Sequence, residues 1–548
     1  MYDKDTILKT REKYLNFISE WPDRFHYKGK NFKDLFSLNQ DFSLWWWTEM
    51  QKKDPEASPV FENLYRLENN GGINVSNGIK STLLWYFLCR IKFLTGIFFK
   101  MLILKAALKR EGSTDRSVEC LFFATLYPVI LRSSDGRLKD RNFLELPDEL
   151  EKTLGLRTRY ISFFHGSILQ LLKDIRNLKR NKIIFYEQYL NFGDLLQALD
   201  LITIGRYIFI ERKSEFRNSF DFDGHNTLRI FRDELRASFV GKGICECTVL
   251  TSSLEMVLKE YQVKGIITFL EMYPYSRALY YSAKRFGRNI KTIAYQHASI
   301  TPMKLWYSYK PEEISLNGDL INKMPIPDYF LFNGKMGKDI LTRSGYPENR
   351  CLFVGSLRLD EAFRLGKASI STDIPADKKI VLVATTYTEE DSRKIAVIVS
   401  ELSRRRNDCF FVFKGHSNYP IDSLLKEYDL KNYIVSEDNV YQLIRRADCL
   451  VTTYSTTAEE AIALGCPAVA IDTGALVNMS AIFEIEAAPT VHNADELGAA
   501  LDQIFYKPGE FVRFKEKWPE LIEASFYRLD GKAAERFLSC IRKITGEN

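Results

Sequence analysis

From about residue 115 onward, short apolar runs alternate with amphipathic stretches, and the alternation falls into two series. In the first, strands are expected at Val118 to Leu126, Lys182 to Tyr189, Tyr207 to Glu211, Gly265 to Glu271, Ile290 to Gln296, Tyr329 to Phe332 and Cys351 to Val354. Several are apolar on both faces, the mark of strands buried in a parallel sheet. Helices are expected between them, as at Ser252 to Tyr261 and Ser276 to Phe286, while Cys245 and Cys247 read as part of a strand. Residues 359–377 break the pattern with Gly366, a Ser/Thr cluster and Pro375, and read as a linker. The second series has strands at Ile380 to Ala384, Phe410 to Lys414, Tyr433 to Val435, Cys449 to Thr452 and Ala468 to Ile471. Its helices are expected at Ser392 to Arg405, Ile421 to Tyr428, Val440 to Ala447 and Ala458 to Leu464. Such alternation predicts an α/β protein with two doubly wound Rossmann-type domains. The expected division is a mainly helical N-terminal extension (1–115), a first domain (116–358), a second domain (378–510) and a helical tail (511–548).

Ahead of the first series the pattern is weaker. Residues 1 to about 80 are polar, aromatic-rich and read as irregular, with a turn at Asn69-Asn70-Gly71-Gly72. Trp45-Trp46-Trp47 is expected to pack against the main body. From Lys80 to Arg110 there are seven Lys/Arg and no Asp or Glu among apolar residues. A spanning helix needs about 20 nearly uncharged residues, and Arg90, Lys92 and Lys100 interrupt every such window. Two readings remain: a membrane-surface helix whose basic side chains reach anionic headgroups, or a helical hairpin packed on the protein. The acid-free composition favours the membrane surface.

Composition changes this picture little. The chain has 548 residues, 45% hydrophobic and 27% charged, as in a globular protein of two or three domains. A net charge of +6 is mild at this length and gives no reason to expect nucleic acid. The nine cysteines and six histidines are too scattered for a metal site, and the cysteines read as reduced thiols. The chain opens on a charged stretch without a signal peptide, so the expected location is the cytoplasm, peripheral at the inner membrane.

Ligands of open α/β sheets sit beyond the C-terminal ends of strands, and the candidate residues fall there. Thr452-Thr453-Tyr454-Ser455-Thr456-Thr457 precedes a helix carrying Glu460, then Gly465 and Pro467. A helix N-terminus offers free N–H groups to a phosphate. A cap at Ser455 or Thr456 also accounts for part of this turn, but five hydroxyl residues exceed what a cap needs. Glu460 reads equally as a ribose acceptor or as a first-turn acid. Lys414-Gly415-His416 ends another strand with two phosphate donors. In the first series, Gln296-His297 ends one strand and Glu271 another, with Tyr273 and Pro274 following. A His or Glu here could take the proton of an attacking hydroxyl. Walker A, GxGxxG, Gly-x-Ser-x-Gly and HExxH motifs are missing, which disfavours nucleotide hydrolysis, dinucleotide redox chemistry and serine hydrolysis.

At these residues the chain resembles bacterial surface-polysaccharide transferases of the GT-B type: capsule Kdo transferases, sialyltransferases and teichoic-acid glycerophosphotransferases. Residues from about 118 to 510 are similar to a family of surface carbohydrate biosynthesis proteins, through Gly136-Arg137-Leu138, Phe143 to Pro147, Glu271-x-x-Pro274 and Gln296-His297. The resemblance implies two domains facing a cleft. It implies a metal-independent glycosyltransferase without cofactor, its substrates a nucleotide-sugar donor, such as a CMP-sugar, and a glycan or lipid-linked acceptor. Lys414, His416, Ser455, Thr456, Thr457 and Glu460 would hold the donor. His297, with Glu271, would activate the acceptor, and Gln296 and Tyr273 would line the cleft. Two motifs depart from the family forms: His-Pro is His416-Ser417, and Ser-Ser-Thr is Tyr454-Ser455-Thr456. Two alternatives stay open, a nucleotide-sugar epimerase of the same fold and a non-catalytic glycan-binding scaffold.

Overall fold

The computed structural model describes residues 4–55, 58–70, 82–108, 119–125, 130–132, 138–140, 142–178, 183–286, 289–315, 319–364, 375, 377–386, 388–416 and 421–546. Gly71, Gly72, Gly136, Arg137, Ser417, Pro420 and most of the 359–377 linker fall outside them.

The N-terminal extension is more regular than its polarity suggests. Helix α1 (Lys4–Arg24) buries Tyr14, Phe17, Ile18 and Trp21, a spacing of i, i+3, i+4 and i+7. That is a helical stripe, diluted in the sequence by the charged outer face. Trp45, Trp46 and Trp47 are fully buried, as expected, and the Trp46 indole donates to Ile321 O at 3.2 Å. The described part of residues 80–110, 82–108, forms one unbroken helix, α2 (Leu83–Ala107), rather than a hairpin. Its inner face holds Tyr86, Arg90, Leu94, Ile97, Met101 and Leu104. Arg90 does not reach for solvent: it is buried and donates to the carbonyls of Gly241, Leu199 and Phe239 at 2.8, 2.9 and 2.8 Å. Among the described residues no helix is long and apolar enough to cross a membrane.

The first sheet has seven parallel strands: β1 (Glu119–Ala124), β2 (Arg157–Ser162), β3 (Ile183–Phe185), β4 (Gln262–Phe269), β5 (Lys291–Tyr295), β6 (Tyr329–Phe332) and β7 (Cys351–Phe353). Helices α3 (Ile168–Leu178), α4 (Phe192–Leu199), α5 (Leu201–Glu211), α6 (Gly243–Glu260), α7 (Pro274–Arg285) and α8 (Leu357–Arg364) connect or follow them. The spatial order β7-β6-β5-β4-β1-β2-β3 reverses direction between β1 and β4. This is the Rossmann order, and its crevice opens at that reversal.

Three strand expectations fail here. Tyr207 to Glu211 lies in α5, because Ile204, Tyr207 and Ile210 recur every three residues and are the side chains buried. Cys245 and Cys247 lie inside α6 and not in a strand. Lys182 to Tyr189 is strand only to Phe185, then a 3-10 turn. The polar run Arg157–Ser162 supplies β2 in its place, beside β1.

That 3-10 turn carries Glu187, fully buried, which accepts from Phe164 N at 3.0 and 3.3 Å. Burial pushes its carboxyl up to about 7. The neutral form is favoured in the fold, so this group's contribution is fully present below pH 4.5 and is lost as pH rises toward 7. Two to three pH units at 1.36 kcal/mol each amount to about 3 kcal/mol. Glu187→Gln is therefore expected to gain stability over the unsubstituted protein between pH 5 and pH 8, by about 2–3 kcal/mol in urea titrations at the two pH values. An unchanged difference at the two would contradict the assignment.

The second sheet has six parallel strands: β8 (Lys379–Ala384), β9 (Cys409–Lys414), β10 (Tyr433–Val435), β11 (Cys449–Thr452), β12 (Ala468–Ile471) and β13 (Thr490–Val491). The order is β10-β9-β8-β11-β12-β13, again the Rossmann order, with the reversal between β8 and β11. Helix α9 (Glu389–Ser403) follows β8, and α10 (Thr456–Ala463) follows β11. The two sheets present their C-terminal edges to each other, since the loop beyond β5 and helix α8 beyond β7 touch α10. Two Rossmann-type domains across a cleft are the GT-B arrangement.

The cores redraw the expected divisions at both ends of the chain. Tyr14, Trp21 and Trp45 of the extension share one apolar cluster with Phe122, Ile266 and Ala294 of the first sheet. In the tail, α11 (Trp518–Phe526) packs on the second domain through Leu521 and Phe526. Helix α12 (Ala533–Thr545) then crosses back and completes the first domain's other face with Phe537 and Ile541.

Candidate functional site

Residues from both domains meet where the two crevices face. From the first, β4 ends at Phe269 and delivers Glu271, and β5 ends at Tyr295 and delivers Gln296 and His297. His297 Nε2 lies 3.7 Å from Glu271 Oε1, longer than a hydrogen bond but close enough to steady a cationic imidazole. Its other nitrogen, Nδ1, is shielded and has no hydrogen-bond partner. The ring packs on Phe269, centroids 4.5 Å apart. Burial, reinforced by Arg358 and Lys304, pushes the imidazole down to about 3. Burial also raises the Glu271 carboxyl above its ordinary value, against a hydrogen bond from Tyr275. Both groups are thus held toward their neutral forms.

Gln296 and Tyr273 are less open than expected. Gln296 is buried, accepts from Asn333 N at 3.1 Å and donates to Ala298 O at 3.0 Å, so it fixes the turn that presents His297. The Tyr273 ring packs against Trp306 at a tilt of 44°, centroids 5.6 Å apart, and its hydroxyl donates to Asp54 of the extension at 3.3 Å.

From the second domain, β11 runs into Thr453-Tyr454-Ser455 and α10. Ser455 caps α10, accepting from Thr457 N at 3.2 Å, so capping accounts for that hydroxyl. The Tyr454 hydroxyl donates to Asp391 at 2.7 Å, which ties the turn to α9. Across the cleft, Ser299 Oγ donates to Glu459 Oε2 at 2.6 Å and lies 3.3 Å from Thr456 Oγ1. The 455–457 turn and the His297 loop are therefore one contact region.

Glu460 is not a solvated first-turn acid. It is buried, bound by Arg358 Nη2 at 2.7 Å and by the Tyr441 hydroxyl at 3.1 Å. Arg358 stands in the first turn of α8, where the helix dipole disfavours a cation. Gly355, at φ +87°, makes the reversal from β7 that brings it there. Arg358 Nε has no partner, and its charge acts on both Glu460 and His297.

No family model matches the chain, and no curated protein matches it. Solved structures do align with it. The UDP-GlcNAc 2-epimerase from Neisseria meningitidis, bound to UDP-GlcNAc, aligns at 14% identity over 78% of this chain and 99% of its own, with a TM-score of 0.46. The glycotransferase of kitacinnamycin gives 15%, 78%, 99% and 0.45 for the same quantities. The wall teichoic acid polymerase TagF gives 13%, 86%, 99% and 0.43. At these scores the architecture stands on the two strand orders, and the chemistry on the residues of the cleft.

Lys414 and His416 stand apart from this group. β9 is separated from β11 by β8, two strand spacings or about 10 Å. The Lys414 ammonium lies 3.6 Å from Glu437, beyond β10 and away from the 455–457 turn. His416 N donates to Thr385 Oγ1 at 3.3 Å, which holds the loop against the end of β8. Thr385 and Thr386 thus border the crevice between β8 and β11, a position the sequence reading did not single out. Arg358, Lys304, Ser299, Glu459 and Tyr441 were likewise not singled out. For Arg358 a signal existed: strand, glycine, then a basic residue at a helix start, where a carboxylate is the usual choice.

Proposed function

We propose that the protein is a glycosyltransferase that moves a sugar from a nucleotide-activated donor to a glycan or lipid-linked acceptor. Its place would be the assembly of a bacterial surface polysaccharide, a capsule or a lipopolysaccharide, at the inner face of the membrane. The observation that carries the reading is the His297–Glu271 pair facing the 455–457 turn of α10, with Arg358 between them bound to Glu460. Nδ1 of His297 is enclosed, so the ring nitrogen open to a substrate is Nε2, beside Glu271. In the transfer, the acceptor hydroxyl gives its proton to Nε2 of His297 while its oxygen bonds to the anomeric carbon. The bond from that carbon to the phosphate oxygen breaks, and the leaving phosphate takes the electron pair. The N-terminus of α10, Thr456, Thr457 and Arg358 are the groups available to stabilise that charge, and the His416 loop, resting on the end of β8, borders the same crevice. Protein cations would serve here without a metal.

A thermal-shift series with nucleoside mono- and diphosphates tests the donor half. A nucleotide at 100 times its Kd stabilises the fold by about 2.7 kcal/mol. His416→Ala should weaken the shift and His297→Ala should leave it. Equal loss from both removes the division of roles, and no shift with any nucleotide removes the enzyme reading. Turnover of a nucleotide-sugar without an acceptor would identify an epimerase in its place.

A further inference from the structure

The outer faces of four helices run against the usual pattern of a soluble surface. Nineteen large apolar side chains are exposed among the described residues, and twelve of them lie on α2, α3, α4 and α5. Leu88, Phe99 and Leu102 stand on α2, and Leu169, Phe192 and Ile202 on the other three; their exposures run from 46% to 76%. On α2 the outward stripe is Leu84, Leu88, Lys92, Thr95, Phe99 and Leu102, a helical repeat whose single charge is basic. α2 packs on both α3 and α4, with the Phe98 and Phe192 rings 6.4 Å apart, and α5 continues from α4. The twelve side chains therefore belong to one assembly and not to scattered positions. Apolar patches of this extent mark contact surfaces.

Charge identifies the occupant. Among the described residues, the exposed charges on these helices are Lys92, Lys105, Lys173, Arg176 and Arg206, all basic; just after α5, the exposed Arg212 is followed by the exposed Glu215. The acids are turned inward or engaged: Asp194 and Asp200 bond the backbone at the starts of α4 and α5, Glu211 pairs with Arg236, and Asp174 is half-buried. Apolar side chains ringed by cations, with no exposed acid among the described residues of the four helices, suit an anionic lipid surface, where the first enter the acyl boundary and the second meet headgroups.

The placement is also informative. Lys100 of α2 donates to Phe164 O, just beyond the end of β2, at 2.9 Å. Register aligns Ile161, Ala124, Thr268 and Ala294 across β2, β1, β4 and β5. Three strand spacings, about 14 Å, thus separate this anchor point from the row that presents His297. We infer that α2, α3, α4 and α5 form a lipid-docking platform that sets the first-domain side of the cleft against an anionic bilayer. This extends the reading of a lipid-linked acceptor, and its test is independent of nucleotide binding.

The full chain is sedimented with vesicles of phosphatidylcholine, with and without phosphatidylglycerol. Deleting 80–110 is not a usable test, because the inner face of α2 belongs to the core. The triple variant Leu88→Glu, Phe99→Glu, Ile202→Glu changes outward positions alone. The protein is expected to bind the phosphatidylglycerol vesicles, and the triple variant to lose about 100-fold or more in partitioning at an unchanged melting temperature. A second variant, Lys92→Gln, Lys173→Gln, Arg212→Gln, keeps every apolar residue and should remove most of the salt dependence. Failure of the unsubstituted protein to bind overturns the inference, as does a triple variant that still sediments. A dimer in solution that the triple variant dissolves, without vesicle binding, overturns it too and assigns the face to a second copy.

Discussion

Replacing His297 with glutamine is expected to lower kcat for sugar transfer by about 10²–10⁴-fold, the usual contribution of a positioned general base, with nucleotide binding retained. The pH dependence sharpens this. His297 works in its neutral form, and in the free protein burial with Arg358 and Lys304 holds it down to about 3. The acid limb of kcat/KM therefore lies well below the ordinary histidine range of about 6.5. An anionic donor close to these two cations offsets them and raises the basicity of the imidazole as the base is needed. The acid limb of kcat, which reports the bound state, should lie at higher pH than that of kcat/KM. Coincident limbs near 6.5, retained by His297→Gln, would move the base to another residue. Glu271→Gln should give a smaller loss, because its carboxyl steadies the imidazole and does not accept the proton itself.

Arg277→Leu is expected to cost about 3–5 kcal/mol of stability, the sum of buried carbonyls left unsatisfied at about 1–3 kcal/mol each. The Arg277 guanidinium is fully buried in α7. It donates to Trp46 O at 2.8 Å, to Gln51 O at 2.7 Å, to Met272 O and to the Tyr309 hydroxyl. Leucine fills much of the space but leaves the Trp46 and Met272 carbonyls without this donor in a buried site, while Gln51 O keeps the Tyr309 hydroxyl at 3.2 Å. The loss falls on the seam between extension and first domain, and Tyr273 is held on the same seam by Asp54. Urea unfolding reads the stability term. Arg277→Lys, which retains a charge but not the fork of donors, should recover only part of it. A loss below about 1 kcal/mol would mean that the extension is held by its aromatic contacts alone.

The second domain was the most legible part of the chain, and the reason is physical. Its strands are buried on both faces, so Ile380 to Ala384 and Cys449 to Val451 are apolar without interruption. β2 escaped because Arg157-Thr158-Arg159 places polar side chains in a strand, and α1 because its buried stripe is thin. At the site, Glu271 and His297 were legible because a strand end announces them. Arg358 had only the local signal of a basic residue at a helix start, and its partner was not legible, because that depends on α8 meeting α10 across the cleft. Lys414 was legible as a strand-end cation, yet its side chain turns toward Glu437. The basic helix at 83–107 divides in the same way: its composition signalled a surface, and only the fold separated Arg90 inside from Lys92 outside.

The return of α12 to the first domain bears on how the protein is made. Phe537 and Ile541 complete a core begun by Leu121 and Phe123, more than four hundred residues earlier in synthesis. During translation the first domain cannot close that face until the whole second domain has left the ribosome. Its half-built sheet stays exposed in the meantime, the kind of nascent surface that chaperones cover.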